Sequence, residues 1–276
     1  MLFLALGGLA YAGTATDVNG LYYTGVDNSG TVLAGGATDS HWTVTYARVN
    51  GTSYTGNSTY TGASYVLSPS YIDSAYVANS STSKWITAPG ASTAASGGTT
   101  NVGGDYLPGN GTSGSNSAQY VYRLAFTVVG TGSGSATNNI SISLTLAADD
   151  QYKTYVNPTL NANGSVNTGS TLAGSRTNAW SNTTALYLQN FTDANGSANS
   201  NFVIGTNYIY VVVDNTNSVT GSSGSSSLNP SGLLVYQVGA ATTINGTPIP
   251  ETGAILPVMA ALALFGWRRL RLRFAA

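Results

Sequence analysis

The sequence contains no cysteine, one histidine and one glutamate, and only 7% of its 276 residues are charged. Without cysteine the chain has neither disulfide bonds nor thiolate metal sites. Any Ser-His-Asp arrangement would have to use His41, and no Gly-x-Ser-x-Gly elbow is present. His41 precedes Trp42 at a predicted strand start, which favours a structural role. These absences argue against an enzyme.

Positive charge is concentrated at one end of the chain. Nine residues are Lys or Arg, and four of them lie in the last nine positions: Arg268, Arg269, Arg271 and Arg273. The remaining chain is mildly acidic, with no basic stripe to follow a phosphate backbone. The sequence therefore predicts no nucleic-acid partner.

Short segments of alternating apolar and polar residues fill the middle of the chain. Aromatic residues make up 10% of the sequence, 18 of them Tyr, which is enough for a packed core. "NNISISLTLAADD" places Ile140–Leu146 in strict alternation, "QYVYRLAFTVVG" places Tyr120–Val128 likewise, and "HWTVTYARV" places Trp42, Val44 and Tyr46 on one face. "TNYIYVVVDN" is apolar throughout, which is typical of a central strand. Gly/Ser/Asn/Thr turns separate these segments, which predicts an all-β antiparallel sandwich or jelly roll.

Different segments flank this predicted domain. Residues 1–12 carry an apolar run followed by Ala10-Tyr11-Ala12, the small-x-small spacing of a signal peptide, although a buried first strand is the alternative. We predict a β-sandwich over 17–240, a linker over 241–249 and a C-terminal signal over 250–276. The sequence thus favours export.

The C-terminal segment combines a short motif, an apolar run and an arginine cluster. Ala254–Trp267 is about fourteen residues, roughly 21 Å as a helix and short of the ~30 Å bilayer core. Leu270, Leu272 and Phe274 alternate with the arginines and lengthen the span while the guanidinium groups snorkel to the interface, and the positive charge favours a cytoplasmic C-terminus. The sequence therefore predicts a short transmembrane helix, with a plain single-pass anchor as the simpler alternative.

This order of parts resembles C-terminal sorting signals that membrane transpeptidases read. Pro250-Glu251 matches the core of the PEP-CTERM signal of exosortase substrates, with Thr252 in place of the second proline. The motif Ile249-Pro250-Glu251-Thr252-Gly253 also resembles the sortase signal Leu-Pro-x-Thr-Gly. The body resembles a PEP-CTERM-associated β-sandwich of galactose-binding-like, jelly-roll type, in pieces such as "TGVDNSGTVLAGGATDSHWTV", "LAADDQYKTYVNPT" and "NPSGLLVYQVG". The resemblance implies an exosortase or sortase-like partner and association with exopolysaccharide.

Carbohydrate contact is the candidate binding function. Trp42, Trp85 and Trp180 are candidates for stacking on sugar rings, with Asn157 and Asp149 as polar neighbours. A core position is the favoured interpretation of Trp42 and Trp85, whereas Trp180 lies in the most polar setting. The adjacent Asp149 and Asp150 point to opposite faces on a strand, so they cannot flank one glycosidic bond. In the resembled sandwich they shape a loop, where a structural Ca²⁺ is one interpretation and a plain turn is the other.

Three hypotheses follow for function. The first is a non-enzymatic, exported surface or matrix protein, membrane-anchored before processing. The second is a carbohydrate-binding module. The third, a glycan-active enzyme, would need paired acids that the sequence does not offer. No cofactor is expected apart from the possible structural Ca²⁺.

Overall fold

Strands are the regular secondary structure of the described residues. The computed structural model describes residues 13–49, 61–67, 72, 76–88, 117–192, 198–216, 232–239 and 242–249, and no helix occurs in these ranges. The expected all-β class is thereby confirmed. The strands are β1 Thr14–Asn19, β2 Thr38–Val49, β3 Gly62–Val66, β4 Ile86–Thr87, β5 Ser117–Thr131, β6 Ile140–Asp149, β7 Gln151–Val156, β8 Gly174–Arg176, β9 Thr184–Gln189, β10 Gly205–Thr216, β11 Gly232–Val238, β12 Thr243–Ile244 and β13 Thr247–Pro248.

These strands belong to one curled sheet. Its order is β13-β12-β6-β11-β4-β3-β2-β5-β10-β7-β8, with β1 on β5 and β9 on β6. Every pairing between named strands is antiparallel. We call β9, β6 and β11 the first half of the sheet, and β2, β5, β10 and β7 the second half.

The inner faces of both halves contribute to one core. The predicted alternation in β5 and β6 is confirmed, because every second residue of each strand is buried in a single cluster. Phe126 of β5 meets Phe202 edge-on, with 6.1 Å between ring centroids. The buried inward residues of the two strands are Tyr120, Tyr122, Leu124, Phe126 and Val128 in β5, and Ile140, Ile142, Leu144, Leu146 and Ala148 in β6.

The predicted inward face of β2 is wrong at Tyr46. Trp42 and Val44 lie in the main core, but the register shifts between Val44 and Tyr46 at a β-bulge. A bulge adds one residue and reverses the faces that follow it. Tyr46 consequently packs on the outer face, against Val121 and Tyr210.

The central position of β10 is confirmed, because β5 and β7 pair on its two sides. Its outer face is also buried, since Tyr210 and Val212 belong to a second apolar cluster against which Leu160 and Val166 pack. The turn carrying Leu160 and Val166 approaches closely, and a Cβ at Gly164 would lie 2.2 Å from the Thr45 carbonyl oxygen. Two buried faces explain why this segment is apolar throughout.

The expected linker at 241–249 is part of the sheet over Thr243–Pro248. Thr243 and Ile244 pair with Ser141 and Ile140 of β6, and β13 folds back on β12. Between them Asn245 and Gly246 have φ of 51° and 76°, the left-handed values that a tight Asn-Gly hairpin turn requires. Within the described residues the sheet therefore runs from Thr14 to Pro248, beyond both bounds of the predicted domain at 17 and 240.

Candidate functional site

Two of the three candidate tryptophans are core residues. Trp42 and Trp85 are both 0% exposed, so neither ring can stack on a sugar. The indole N–H of Trp42 donates to the Tyr22 carbonyl at 3.0 Å, and that of Trp85 to the Val77 carbonyl at 2.7 Å. Both tryptophans are therefore removed from the candidate carbohydrate contacts.

Asp149 and Trp180 come together at one end of the first half. Asp149 is only 2% exposed, and its carboxylate accepts a hydrogen bond from the Tyr76 hydroxyl. The carbonyl of the half-buried Trp180 accepts from the Val77 N–H at 2.8 Å, and the Ala179 N–H donates to the Asp150 carbonyl at 2.8 Å. Asp149 therefore holds a covering segment in place and is not presented to a ligand.

No acid-rich metal site occurs around Asp149 in the part of the chain that the structure describes. Within those residues no three His, Cys, Asp or Glu side chains lie close enough together to hold an ion. Asp149 and Trp180 are neighbours, as predicted for a sugar-binding site, but the buried carboxylate makes this place a packed corner of the fold.

Asn157 lies away from this corner. It follows β7, whose six residues separate it from Asp150 by roughly 20 Å. Its side-chain amide donates to the Asn201 carbonyl and to Asn207 Oδ1, both at 2.8 Å, and its Oδ1 accepts from the Tyr208 N–H at 2.8 Å. These bonds stabilise a left-handed backbone at φ 46°, so Asn157 shapes a turn and is not a neighbour of Trp180.

His41 is enclosed by structural contacts, as the sequence favours. Its ring stacks on Tyr22 with 3.5 Å between centroids, and Nε2 is buried without a hydrogen-bond partner among the described residues. Its backbone N–H donates to Asp39, a carboxylate that is 0% exposed. Burial raises the pKa of Asp39 above its ordinary value of 3.8, against the opposing effect of three backbone N–H donors.

Two tyrosines that the sequence analysis did not single out are the most exposed aromatic residues described. Tyr187 in β9 is 53% exposed and Tyr236 in β11 is 40% exposed. Tyr187 alternates with Leu186 and Leu188, which face the core. Alternation in "TALYLQ" would have identified Tyr187 as an outward residue, whereas no sequence pattern reveals the bulge at Tyr236.

Strand β6 lies between these tyrosines. Tyr187 pairs with Ser143, and Thr145 of the same strand pairs with Gln237 across the bulge that contains Tyr236. Strands β9 and β11 are thus two strand spacings apart, roughly 10 Å. We call Tyr187, Tyr236, Gln237, Ser143 and Thr145 the tyrosine face.

The second half carries aromatic residues too, but they are packed beneath a turn. The Arg123 guanidinium carbon lies 5.1 Å from the Tyr208 ring centroid, and Tyr208 packs beside the buried Tyr210. Burial raises the pKa of Tyr210, and hydrogen bonding to Arg123 acts in the opposite direction. Leu160 and Val166 pack against the same cluster, so this face is an internal contact of the fold.

Only the first residue of the predicted sorting motif lies within the described residues. Ile249 packs partly buried against the main core, and its N–H donates to the Thr242 carbonyl at 3.0 Å. The predicted signal peptide, Pro250–Gly253, the apolar run and the four terminal arginines lie outside the described residues. Among the residues that are described, no helix has the length and apolar character needed to span a bilayer.

Comparison of the chain with protein-family models, curated proteins and solved structures gave no significant match. The resemblance to PEP-CTERM proteins stays a prediction from the sequence. Support for a function therefore comes from the terminal hairpin and from the contacts of the acidic residues.

Proposed function

We propose that the chain is a non-enzymatic, exported bacterial surface or matrix protein associated with exopolysaccharide. Its body is a β-sandwich of jelly-roll, galactose-binding-like type. A PEP-CTERM-type signal over 250–276 delivers it, and a membrane transpeptidase removes the apolar segment.

The position of the terminal hairpin carries this proposal. Strand β13 ends at Pro248, and the motif begins at the next residue, Ile249. The Ile249 N–H still bonds to Thr242, so the sheet contacts extend up to the motif. A processing enzyme acting at Pro250-Glu251 would then cut next to the sheet and release the body with all of its described strands.

The contacts of the acidic residues support a non-enzymatic role. Asp39 accepts hydrogen bonds from three backbone N–H groups, and Asp149 accepts a hydrogen bond from the Tyr76 hydroxyl. Asp214 Oδ1 accepts a hydrogen bond from Gln119 Nε2 at 2.7 Å, and Asp214 Oδ2 lies 3.9 Å from Lys153 Nζ. Each of these carboxylates stabilises the fold, which is a structural use of charge in a chain with few charged residues.

The packing of the curled sheet supports the sandwich. Its two halves face each other across one core, with antiparallel pairing throughout and short strands β3 and β4 linking them. This is the layer arrangement of antiparallel sandwiches.

Intact-mass analysis of the protein from its native host tests the proposal. We expect a mature form that lacks the Ala254–Arg273 span. Glu251→Gln should block processing, and Glu251→Asp, which keeps the charge, should retain part of it. A mature form that still carries "RRLRLRFAA" contradicts the proposal and makes the segment a plain anchor.

Thr252→Pro separates the two candidate enzymes. This substitution completes the Pro-Glu-Pro core of the PEP-CTERM signal and destroys the Thr-Gly of the sortase motif. Continued processing of the variant supports an exosortase, whereas accumulation of the unprocessed chain supports a sortase-like enzyme.

A further inference from the structure

We propose that the tyrosine face binds an uncharged polysaccharide chain, with Tyr187 and Tyr236 stacking on sugar rings. Gln237 and Thr145 supply hydrogen bonds to the sugar hydroxyls between them. This inference deepens the exopolysaccharide association in the proposed function and names the surface and the ligand class.

Exposure makes the two rings available. The other described large apolar side chains with comparable exposure are aliphatic, Val129 at 39% and Leu172 at 43%. Tyrosine provides a large, rigid contact area at low cost in conformational entropy, together with a hydroxyl for hydrogen bonding. Exposed tyrosines are thus suited to contacting the C–H faces of pyranose rings.

The sheet register places the two tyrosines on the same outer surface. The residues that alternate with Tyr187 in β9 point into the core, and so do Val235 and Val238, which flank the bulge in β11. Tyr187 and Tyr236 therefore project away from the core on strands roughly 10 Å apart. Tyr187 lies opposite Ser143 and Tyr236 lies beside Thr145, so the two tyrosines are also offset by two to three residues along β6, and their backbones are roughly 13 Å apart. A short run of sugars lying obliquely across β6 can therefore contact both rings.

The surface between the rings is polar and uncharged. Ser143 and Thr145 are half-buried and Gln237 is exposed. Thr145 and Gln237 give the face a hydroxyl and an amide, groups that both donate and accept hydrogen bonds. The outward carboxylate of β6, Asp149, is buried at the end of the strand against Tyr76. A face with this chemistry favours a neutral glycan over an anionic one.

Two other outward parts of the sheet are covered by the chain itself. Tyr210 and Val212 pack against Leu160 and Val166, and Ala147 and Leu234 pack with Trp85 and the segment around Tyr76. The tyrosine face lies beyond these two clusters, at the part of β6 where the outward residues are small and polar.

Binding of defined polysaccharides to the full-length chain tests this inference. The probes are a soluble β-glucan, a galactomannan and the anionic alginate, each measured by affinity electrophoresis and by titration calorimetry. We expect at least one neutral polymer to bind, and we expect Tyr187→Ala or Tyr236→Ala to weaken that binding about tenfold, equivalent to about 1.4 kcal/mol. Tyr187→Phe keeps the ring and should retain most of the affinity.

Val129→Ala is the matched control, since it removes an exposed side chain from the second half of the sheet. Its affinity should equal that of the unmodified chain, and urea midpoints should show that all variants are folded. Failure of both neutral polymers to bind overturns the inference. So does binding that both tyrosine variants leave unchanged, or a preference for alginate.

The result is separable from processing at Glu251. A chain that is processed normally but binds neither neutral polymer overturns the tyrosine face alone. A concentration-dependent dimer that either tyrosine variant dissociates would assign the face to self-association and would likewise overturn it.

Discussion

Replacement of Asp39 tests how this low-charge chain uses a buried carboxylate. Oδ2 accepts the Gly25 N–H at 2.7 Å, and Oδ1 accepts the N–H groups of His41 and Trp42 at 2.8 and 3.0 Å. These three bonds join the segment before Val26 to the start of β2. Asp39→Ala removes all three acceptors, whereas Asp39→Asn keeps an oxygen at the Oδ1 position and loses the bond to Gly25.

The expected losses follow from the number of N–H groups left unpaired. A buried donor without a partner costs about 1–3 kcal/mol. Gly25 and Trp42 are buried and His41 is half-buried, and removal of the buried charge offsets part of the loss. We expect Asp39→Ala to lower the free energy of unfolding by about 2–5 kcal/mol and Asp39→Asn by about 1–3 kcal/mol.

Urea unfolding followed by tryptophan fluorescence measures both losses, because Trp42 and Trp85 are buried. Asp27→Ala is the matched control. Asp27 also accepts backbone N–H bonds, from Ser29 and Thr31, but at an exposed turn, so its loss should be much smaller. The reasoning is refuted if Asp39→Ala is as mild as Asp27→Ala, or if Asp39→Asn costs more than Asp39→Ala.

Three further predictions concern pH, core packing and the Asp149 corner. Burial raises the pKa of Asp39 in the folded chain, so protonation of Asp39 stabilises the fold at low pH, and this stabilisation is lost as pH rises through the folded pKa. The free energy of unfolding of the unmodified chain relative to Asp39→Asn should therefore increase on acidification towards 3.8. A difference that does not change with pH would contradict this. Trp42→Ala should cost about 3–5 kcal/mol because the ring is fully buried, and a smaller loss than for the half-buried Trp180→Ala in the same urea assay would contradict the burial. The stability losses of Asp149→Asn and Tyr76→Phe should be non-additive in a double-mutant cycle, because the two side chains share a hydrogen bond. Additive losses would contradict a structural role for Asp149. A hydrolytic activity that Asp149→Ala abolishes would contradict it as well.

Alternation in the sequence predicted the strands that have one buried and one solvated face. Ile140–Leu146 and Tyr120–Val128 follow period two, and both sets face the core as expected. The prediction failed at Tyr46, because a bulge reverses the face without altering the local composition.

The candidate site was harder to predict, since burial and exposure depend on what other segments cover. Trp85 is buried by the segment around Tyr76, and Asn157 is engaged by residues far along the chain. Alternation in β9 does predict that Tyr187 points outward, but its exposure depends on the absence of a covering segment. The dipeptide Asn245-Gly246 predicts a hairpin turn from the sequence, and the structure has the turn at this position. Ile244, just before the turn, packs in the core.

The terminal hairpin also determines how the body responds to a mechanical load. A pull on the chain beyond Ile249 reaches the sheet through β13, which pairs with β12 over two residues, as β12 does with β6. Strands β5 and β10 share twelve residue pairs. The few bonds of the hairpin therefore break first, and opening Thr243–Pro248 releases roughly 20 Å of chain. Under tension the hairpin unfolds first and lengthens the connection, while the core and the tyrosine face stay folded.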